Sequence, residues 1–172
     1  MRLFISVNFD QNTKDRFIKI QKSLMKMGKG RLTPPENLHL TLIFLGEVPD
    51  EKVSLLSDAL KSVEVSPMEL KVAQIGTFSE ESGLWWAGIE GNRKLNDLQA
   101  RISAVLSECG FKLGNDKYRP HITLVRDYIK DKDFNAKKAL SRPFVIPVSS
   151  FSLMRSELSD KGAIYTELIK YD

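Results

Sequence analysis

Apolar positions along this chain follow two periods, and their alternation lays out a repeated series of elements. Phe17, Ile20, Leu24 and Met27 stand at i, i+3, i+7 and i+10, the spacing of one helix face, and Gly28 supplies a stop. Leu95, Leu98, Ile102 and Val105 repeat that phase and end at Gly110. Val53, Leu56, Leu60 and Val63 predict another helix, entered through Pro49-Asp50, and residues 134–140 a shorter one. The apolar start, Met1 to Phe9, reads as a strand, and residues 39–42 and 121–124 read as two more. Residues 68–78 turn at Glu81-Ser82-Gly83 into 84–89, and residues 143–154 turn at Ser159-Asp160-Lys161-Gly162 into 164–169, so each stretch predicts a hairpin.

Shifting the sequence by 82 residues superimposes these series. Phe4, Ile5, Val7 and Phe9 fall on Trp86, Ala87, Ile89 and Gly91, while Ile20 and Leu24 fall on Ile102 and Leu106. Each half reads strand, helix, loop, strand, helix, extended segment. Duplicated units of this kind argue for an α+β fold in which two antiparallel β-sheets, related by a pseudo-twofold axis, flank a central cleft with helices on the outer faces. No linker or low-complexity segment separates the halves, so residues 1–172 are expected to form one bilobal domain.

Composition narrows the possibilities further. A hydrophobic content of 42% is enough for a core. The net charge of +4 suits an anionic partner without requiring one. The single cysteine, Cys109, excludes an internal disulfide and any multi-cysteine metal site; it falls at the end of a helical pattern and reads as packing. The apolar start is short, runs into Asp10 and carries no small-residue cleavage site, and no apolar run approaches the roughly 20 residues of a bilayer span. These features predict a cytoplasmic protein that is not membrane-bound.

The chemistry lies in the two histidines, the chain's whole complement. Each opens the same pattern, His39-Leu40-Thr41-Leu42 and His121-Ile122-Thr123-Leu124. With six threonines in 172 residues, both histidines acquiring a Thr two places on has a chance of about one in 800. In a strand, residues i and i+2 share a face, so each imidazole has a hydroxyl beside it. A pseudo-twofold axis would set the two units opposite each other. Two imidazoles titrating near 6.5 can hold one neutral and one protonated member at neutral pH, which suits general acid–base chemistry at phosphorus. The threonine hydroxyls can donate to non-bridging phosphate oxygens as charge builds there. Neither motif carries a Cys, Asp or Glu at metal-ligand spacing, so no metal is expected.

These residues resemble the 2H phosphoesterase superfamily, and most closely its branch of RNA 2',3'-cyclic phosphodiesterases, also called the 2'-5' RNA ligase family. The likeness rests on Pro34-Pro35-Glu36-Asn37-Leu38-His39-Leu40-Thr41-Leu42-Ile43-Phe44-Leu45-Gly46-Glu47, on Arg119-Pro120-His121-Ile122-Thr123-Leu124-Val125-Arg126, and on the tail from Ser156 to Tyr165. It implies hydrolysis of an RNA 2',3'-cyclic phosphate end to a 2'-phosphate, without metal or nucleotide cofactor; the protein is expected to act as a monomer. It also implies His39 as proton donor to the leaving oxygen and His121 as proton acceptor, roles that spacing alone leaves interchangeable. Thr41 and Thr123 would hold the phosphate, and Arg126 would neutralise its charge.

Strand parity stands against Arg126, because five residues from His121 a regular strand presents its opposite face. Arg31, Lys117, Tyr118, Arg119, Trp85, Trp86 and Phe78 are candidates for contacts to the RNA chain, and the Trp85-Trp86 pair must send one ring to each face. Three other readings remain open: the reverse reaction joining a 5'-hydroxyl to the cyclic phosphate, a phosphodiester outside RNA, and a non-catalytic module that captures RNA ends.

Overall fold

A computed structural model describes residues 1–172. In chain order the elements are β1 (Arg2–Asn8), α1 (Gln11–Met25), β2 (Gly28–Leu32), β3 (His39–Glu47), α2 (Asp50–Leu60), β4 (Met68–Gly76), β5 (Trp85–Ile89), α3 (Arg93–Glu108), β6 (His121–Lys130), α4 (Ala136–Ala139), β7 (Phe144–Val148), β8 (Phe151–Ser159) and β9 (Gly162–Tyr171). They build two sheets, β3-β1-β8-β9 and β2-β6-β5-β4-β7, in which every pairing is antiparallel. The α+β architecture follows the pattern read from the sequence.

The 82-residue repeat governs the topology. Moved by that offset, β1, β3 and β4 fall on β5, β6 and β8, so the row β3-β1-β8 corresponds to the row β6-β5-β4. The consequence is an exchange: β4, from the first half, closes the second half's sheet, while β8, from the second half, closes the first's. Neither half completes its sheet alone. The apolar core accordingly runs without a break through both sheets and the helices, from Leu3 and Phe17 to Leu106, Leu124 and Phe151.

Helix faces follow the apolar phase. In α1 the Asp10 side chain caps the start by accepting from the Thr13 backbone N–H at 2.8 Å, and Phe17, Ile20 and Leu24 are buried. In α3 Asn92 caps likewise through Leu95 N–H, and Leu95, Leu98, Ile102 and Leu106 are buried. Helix α1 packs on β2 and β6, and α3 packs on α2 and on the strands β3 and β4.

Three readings need correction. Gly28 does not stop the first helix but opens β2; the helix ends at Met25, and there the Leu24 carbonyl accepts from the Met27 N–H at 3.0 Å and from the Tyr128 hydroxyl at 2.7 Å. The helix expected over 134–140 is a single turn, Ala136–Ala139. The extended run 143–154 is two strands in different sheets, broken at Ser149-Ser150: β7 lies beside β4, and β8 lies between β1 and β9. The hairpin expected over 68–89 is present as β4–β5, and of the one expected over 143–169 only the part from Phe151 onward forms a hairpin, β8–β9. No helix is long and apolar enough to cross a membrane.

Candidate active site

A repeated irregularity aims the two motifs. In β3, Thr41 pairs with Ser6 but Ile43 pairs with the adjacent Ile5, so two steps on one strand match one on the other. In β6, Thr123 pairs with Trp86 and Val125 with Trp85 in the same way. Each is a β-bulge, and each places two consecutive side chains in the core: Leu42 and Ile43, then Leu124 and Val125. Beyond it the alternation changes phase. Arg126 therefore rejoins the face of His121 and Thr123, and Phe44, its counterpart 82 residues earlier, rejoins the face of His39 and Thr41. The objection from strand parity falls, because the strand is not regular there.

Strands β3 and β6 belong to different sheets yet approach within 8 Å between Cα atoms. Between the motifs lies a cleft of about 440 Å³ whose walls include His39, Thr41, His121, Thr123 and Arg126, all five residues singled out in the sequence. Phe44, Arg31, Asn37, Lys161 and Tyr165 complete much of the lining. Three cations face this space and no carboxylate lines it. Arg31 is partly neutralised by Asp127, with Nη2 to Oδ2 at 3.0 Å. Such a cleft favours an anion.

Both imidazoles are held in one tautomer. The Nδ1–H of His39 donates to the Asn37 carbonyl at 2.6 Å, and that of His121 donates to the Arg119 carbonyl at 2.8 Å. A carbonyl can accept and never donate, so Nδ1 keeps its hydrogen in either protonation state, leaving Nε2 as the atom that gains or loses a proton. His39 Nε2 meets the Thr41 hydroxyl at 2.9 Å, whereas His121 Nε2 makes no hydrogen bond within the protein. Burial holds both imidazoles below their ordinary value of 6.5, opposed in each by the carbonyl bond, and the charge of Arg126 lowers both further. His121 and Lys14 add to the effect on His39, and Arg119 to that on His121.

The supports of the two rings also correspond. Asn37 ends the short turn Pro35–Asn37, is buried, and donates from Nδ2 to the Ala163 carbonyl on β9 at 2.8 Å. Arg119, its counterpart, lays its guanidinium 4.5 Å from the centre of the Phe78 ring. Each residue whose carbonyl orients a histidine is thus itself fastened to a neighbouring hairpin or its connection. Rings flank the imidazoles too: Phe4 and Tyr165 stand 5.2 Å from His39, with Phe78 4.9 Å and Trp86 6.2 Å from His121.

Of the candidates for RNA contact, Arg31 lines the cleft, while Trp85 is buried and Trp86 half-buried, as opposite faces require. Tyr118 is tied into the scaffold: its hydroxyl donates to the Thr41 carbonyl at 3.1 Å, and burial pushes its pKa well above 10. Lys117 and Arg119 are exposed. Asn37, Lys161 and Tyr165 were not singled out by sequence reasoning, although they lie in stretches that carry the resemblance; the exchanged strand β8 and its partner β9 bring the last two to the cleft. Cys109 is half-buried and caps α3. Nowhere do three or more His, Cys, Asp or Glu side chains gather in an arrangement able to hold a metal ion.

Comparison with known proteins agrees with this fold. The model of the LigT-like phosphoesterase family matches residues 7–86 and 89–165, two stretches whose starts differ by the same 82 residues and which each contain one His-x-Thr unit. An RNA 2',3'-cyclic phosphodiesterase from Archaeoglobus fulgidus is 31% identical over 98% of both chains, and one from Thermotoga maritima is 33% identical over 98% of this chain and 93% of its own. The crystal structure of E. coli LigT in its apo form superimposes with a TM-score of 0.83 at 26% identity, covering 99% of this chain and 95% of that one. With both repeats matched and likeness along nearly the whole length, the chain belongs to the LigT-like phosphoesterase family.

Proposed function

We propose that this protein hydrolyses RNA 2',3'-cyclic phosphate ends to 2'-phosphates by general acid–base catalysis between His39 and His121. One observation carries the reading: two imidazoles, each fixed in the tautomer that offers Nε2 for proton exchange, line one cation-bearing cleft that has room for a nucleotide. The names of the relatives from Archaeoglobus fulgidus and Thermotoga maritima support the choice of substrate.

In the proposed step, neutral His121 takes a proton from water through Nε2 as the water oxygen attacks phosphorus. The bond from phosphorus to the 3'-oxygen breaks in line with that attack, and protonated His39 delivers the Nε2 proton to the departing oxygen. The 2'-phosphate remains. The pair ends with its protons exchanged and resets through solvent. His121 suits the accepting role because its Nε2 is unengaged and the surroundings of its ring are the more open, whereas the Nε2 of His39 already has Thr41 beside it. Thr41 and Thr123 donate to the non-bridging oxygens, and Arg126 offsets their charge. Burial favours the neutral form of both imidazoles in the free protein, and the substrate's own negative charge draws the pKa of His39 back up on binding, which favours the protonated form that acts as the acid. These roles call for no metal, no other cofactor and no second subunit.

The test is an oligonucleotide ending in a 2',3'-cyclic phosphate, supplied with and without a 5'-hydroxyl oligonucleotide. Release of the 2'-phosphate is expected in both cases. A 2'-5' joined product would establish the reverse reaction as well, and tight binding without turnover would replace the hydrolase with an RNA-end capture module.

A further inference from the structure

Beside the cleft, at its His121 end, three side chains form an ordered stack that the hydrolytic step leaves unused. Trp86 is its floor. A Cβ on Gly76 would stand 2.7 Å from the indole and one on Gly88 2.8 Å, so the ring lies where both positions lack a side chain. Phe78 packs over it with ring centres 5.0 Å apart, and sets its edge against His121 at 4.9 Å and 89°. The Arg119 guanidinium then covers Phe78 at 4.5 Å.

Two features set this stack apart from ordinary core. Phe78 is 46% exposed although large and apolar, and Arg119 is exposed and makes no ion pair. A guanidinium stacked on an aromatic ring and lacking a carboxylate keeps both its charge and its planar surface for a ligand. Nucleobases stack on guanidinium planes and aromatic rings alike. The other end of the cleft is built differently: Phe4, the counterpart of Trp86, is 3% exposed, and Asn37, the counterpart of Arg119, spends its side chain on the Ala163 carbonyl.

We propose that Phe78, Trp86 and Arg119 form a stacking step that receives a second nucleobase, that of the nucleotide next to the one bearing the phosphate. This rests on reading the cleft as a site for RNA ends, and it makes the protein selective for oligonucleotide ends over mononucleotides. The neighbouring base lies on the Arg119 plane, and the phosphate lies between the two histidines.

Equilibrium binding of three ligands tests this: a nucleoside 2'-phosphate, a dinucleotide ending in a 2'-phosphate, and the same dinucleotide lacking its outer base. Stacking is worth about fivefold to a hundredfold in affinity per base, so the full dinucleotide is expected to bind at least about fivefold tighter than the abasic one. Phe78→Ala and Arg119→Gln should each remove most of that difference; because it is read between two dinucleotides within each variant, any shift of His121 that affects both ligands alike cancels. Equal affinity for the full and abasic dinucleotides, or a difference that survives both substitutions, would overturn the subsite. Tighter binding of both dinucleotides than of the mononucleotide, with no effect of the base, would mean that Arg119 grips phosphate alone, and would overturn it too. Because the measurement is of binding, a protein that shows the base effect but never opens a cyclic phosphate would refute the reaction and leave the subsite standing.

Discussion

Replacing Asn37 with alanine separates the holding of His39 from its chemistry. Its Nδ2 donates to the Ala163 carbonyl at 2.8 Å, and its own carbonyl receives the His39 Nδ1–H at 2.6 Å. Alanine keeps that carbonyl but frees the turn from β9. Because Ala163 is half-buried at the edge of the cleft, losing this hydrogen bond costs about 0.5–1.5 kcal/mol, which in a protein of this size lowers Tm by about 1–6 °C. The catalytic loss should be larger than that suggests. Displacing a reacting group by about 1 Å can cost up to a hundredfold, so kcat on a cyclic-phosphate oligonucleotide is expected to fall about tenfold to a hundredfold with little change in KM. Asn37→Asp provides the contrast: its carboxylate also fails to donate to Ala163, but it adds a negative charge beside His39 that favours the imidazolium. The basic limb of the pH–rate profile should therefore move to higher pH in the aspartate variant and stay in place in the alanine variant. A lowered Tm with kcat unchanged would show that the Asn37 link does not hold the imidazole, and would refute the reasoning.

Four further outcomes are expected. His39→Ala and His121→Ala should each lower kcat about a hundred- to ten-thousandfold, and the double variant should fall well short of the product of the two, as groups serving one step do; full multiplicativity in single-turnover assays would contradict a shared reaction. Because burial depresses both imidazoles below 6.5, the kcat/KM bell should centre on the acid side of 6.5, and the kcat bell, measured with the anion bound, should lie at higher pH. The same depression means that the unfolded chain binds more protons, so urea midpoints should fall as pH drops from about 6.5 through the folded pKa values; a midpoint that rises over that window would reverse the assigned direction. Activity should survive EDTA, and complete loss restored by added metal would refute catalysis by the two imidazoles alone.

How much of this was legible in the sequence depends on the range over which each feature is decided. The His-x-Thr units declared themselves because a spacing of two is set within one strand, and the helix faces because Phe17-Ile20-Leu24 and Leu95-Leu98-Ile102 are local patterns. Arg126 was placed in doubt by assuming a regular strand. The counter-signal was present in both repeats, where Leu42-Ile43 and Leu124-Val125 put two apolar residues in succession and shift the alternation by one. Strand β2 was missed because Gly28-Lys29-Gly30-Arg31-Leu32 has little strand character and takes its form from pairing with β6. The exchange of β4 and β8 was not readable at all, since their partners lie in the opposite half. That exchange hid Lys161 and Tyr165, whose approach to the cleft depends on where β8 and β9 are carried.

The most direct test is a crystal structure of the protein with a nucleoside 2'-phosphate, or with vanadate as a mimic of five-coordinate phosphorus. The Nε2 atoms of His39 and His121 should lie within about 3.2 Å of oxygens on opposite sides of one bound centre, with the Thr41 and Thr123 hydroxyls on its remaining oxygens. An anion that touches one imidazole alone, or that binds outside the space between them, would contradict the two-histidine reaction.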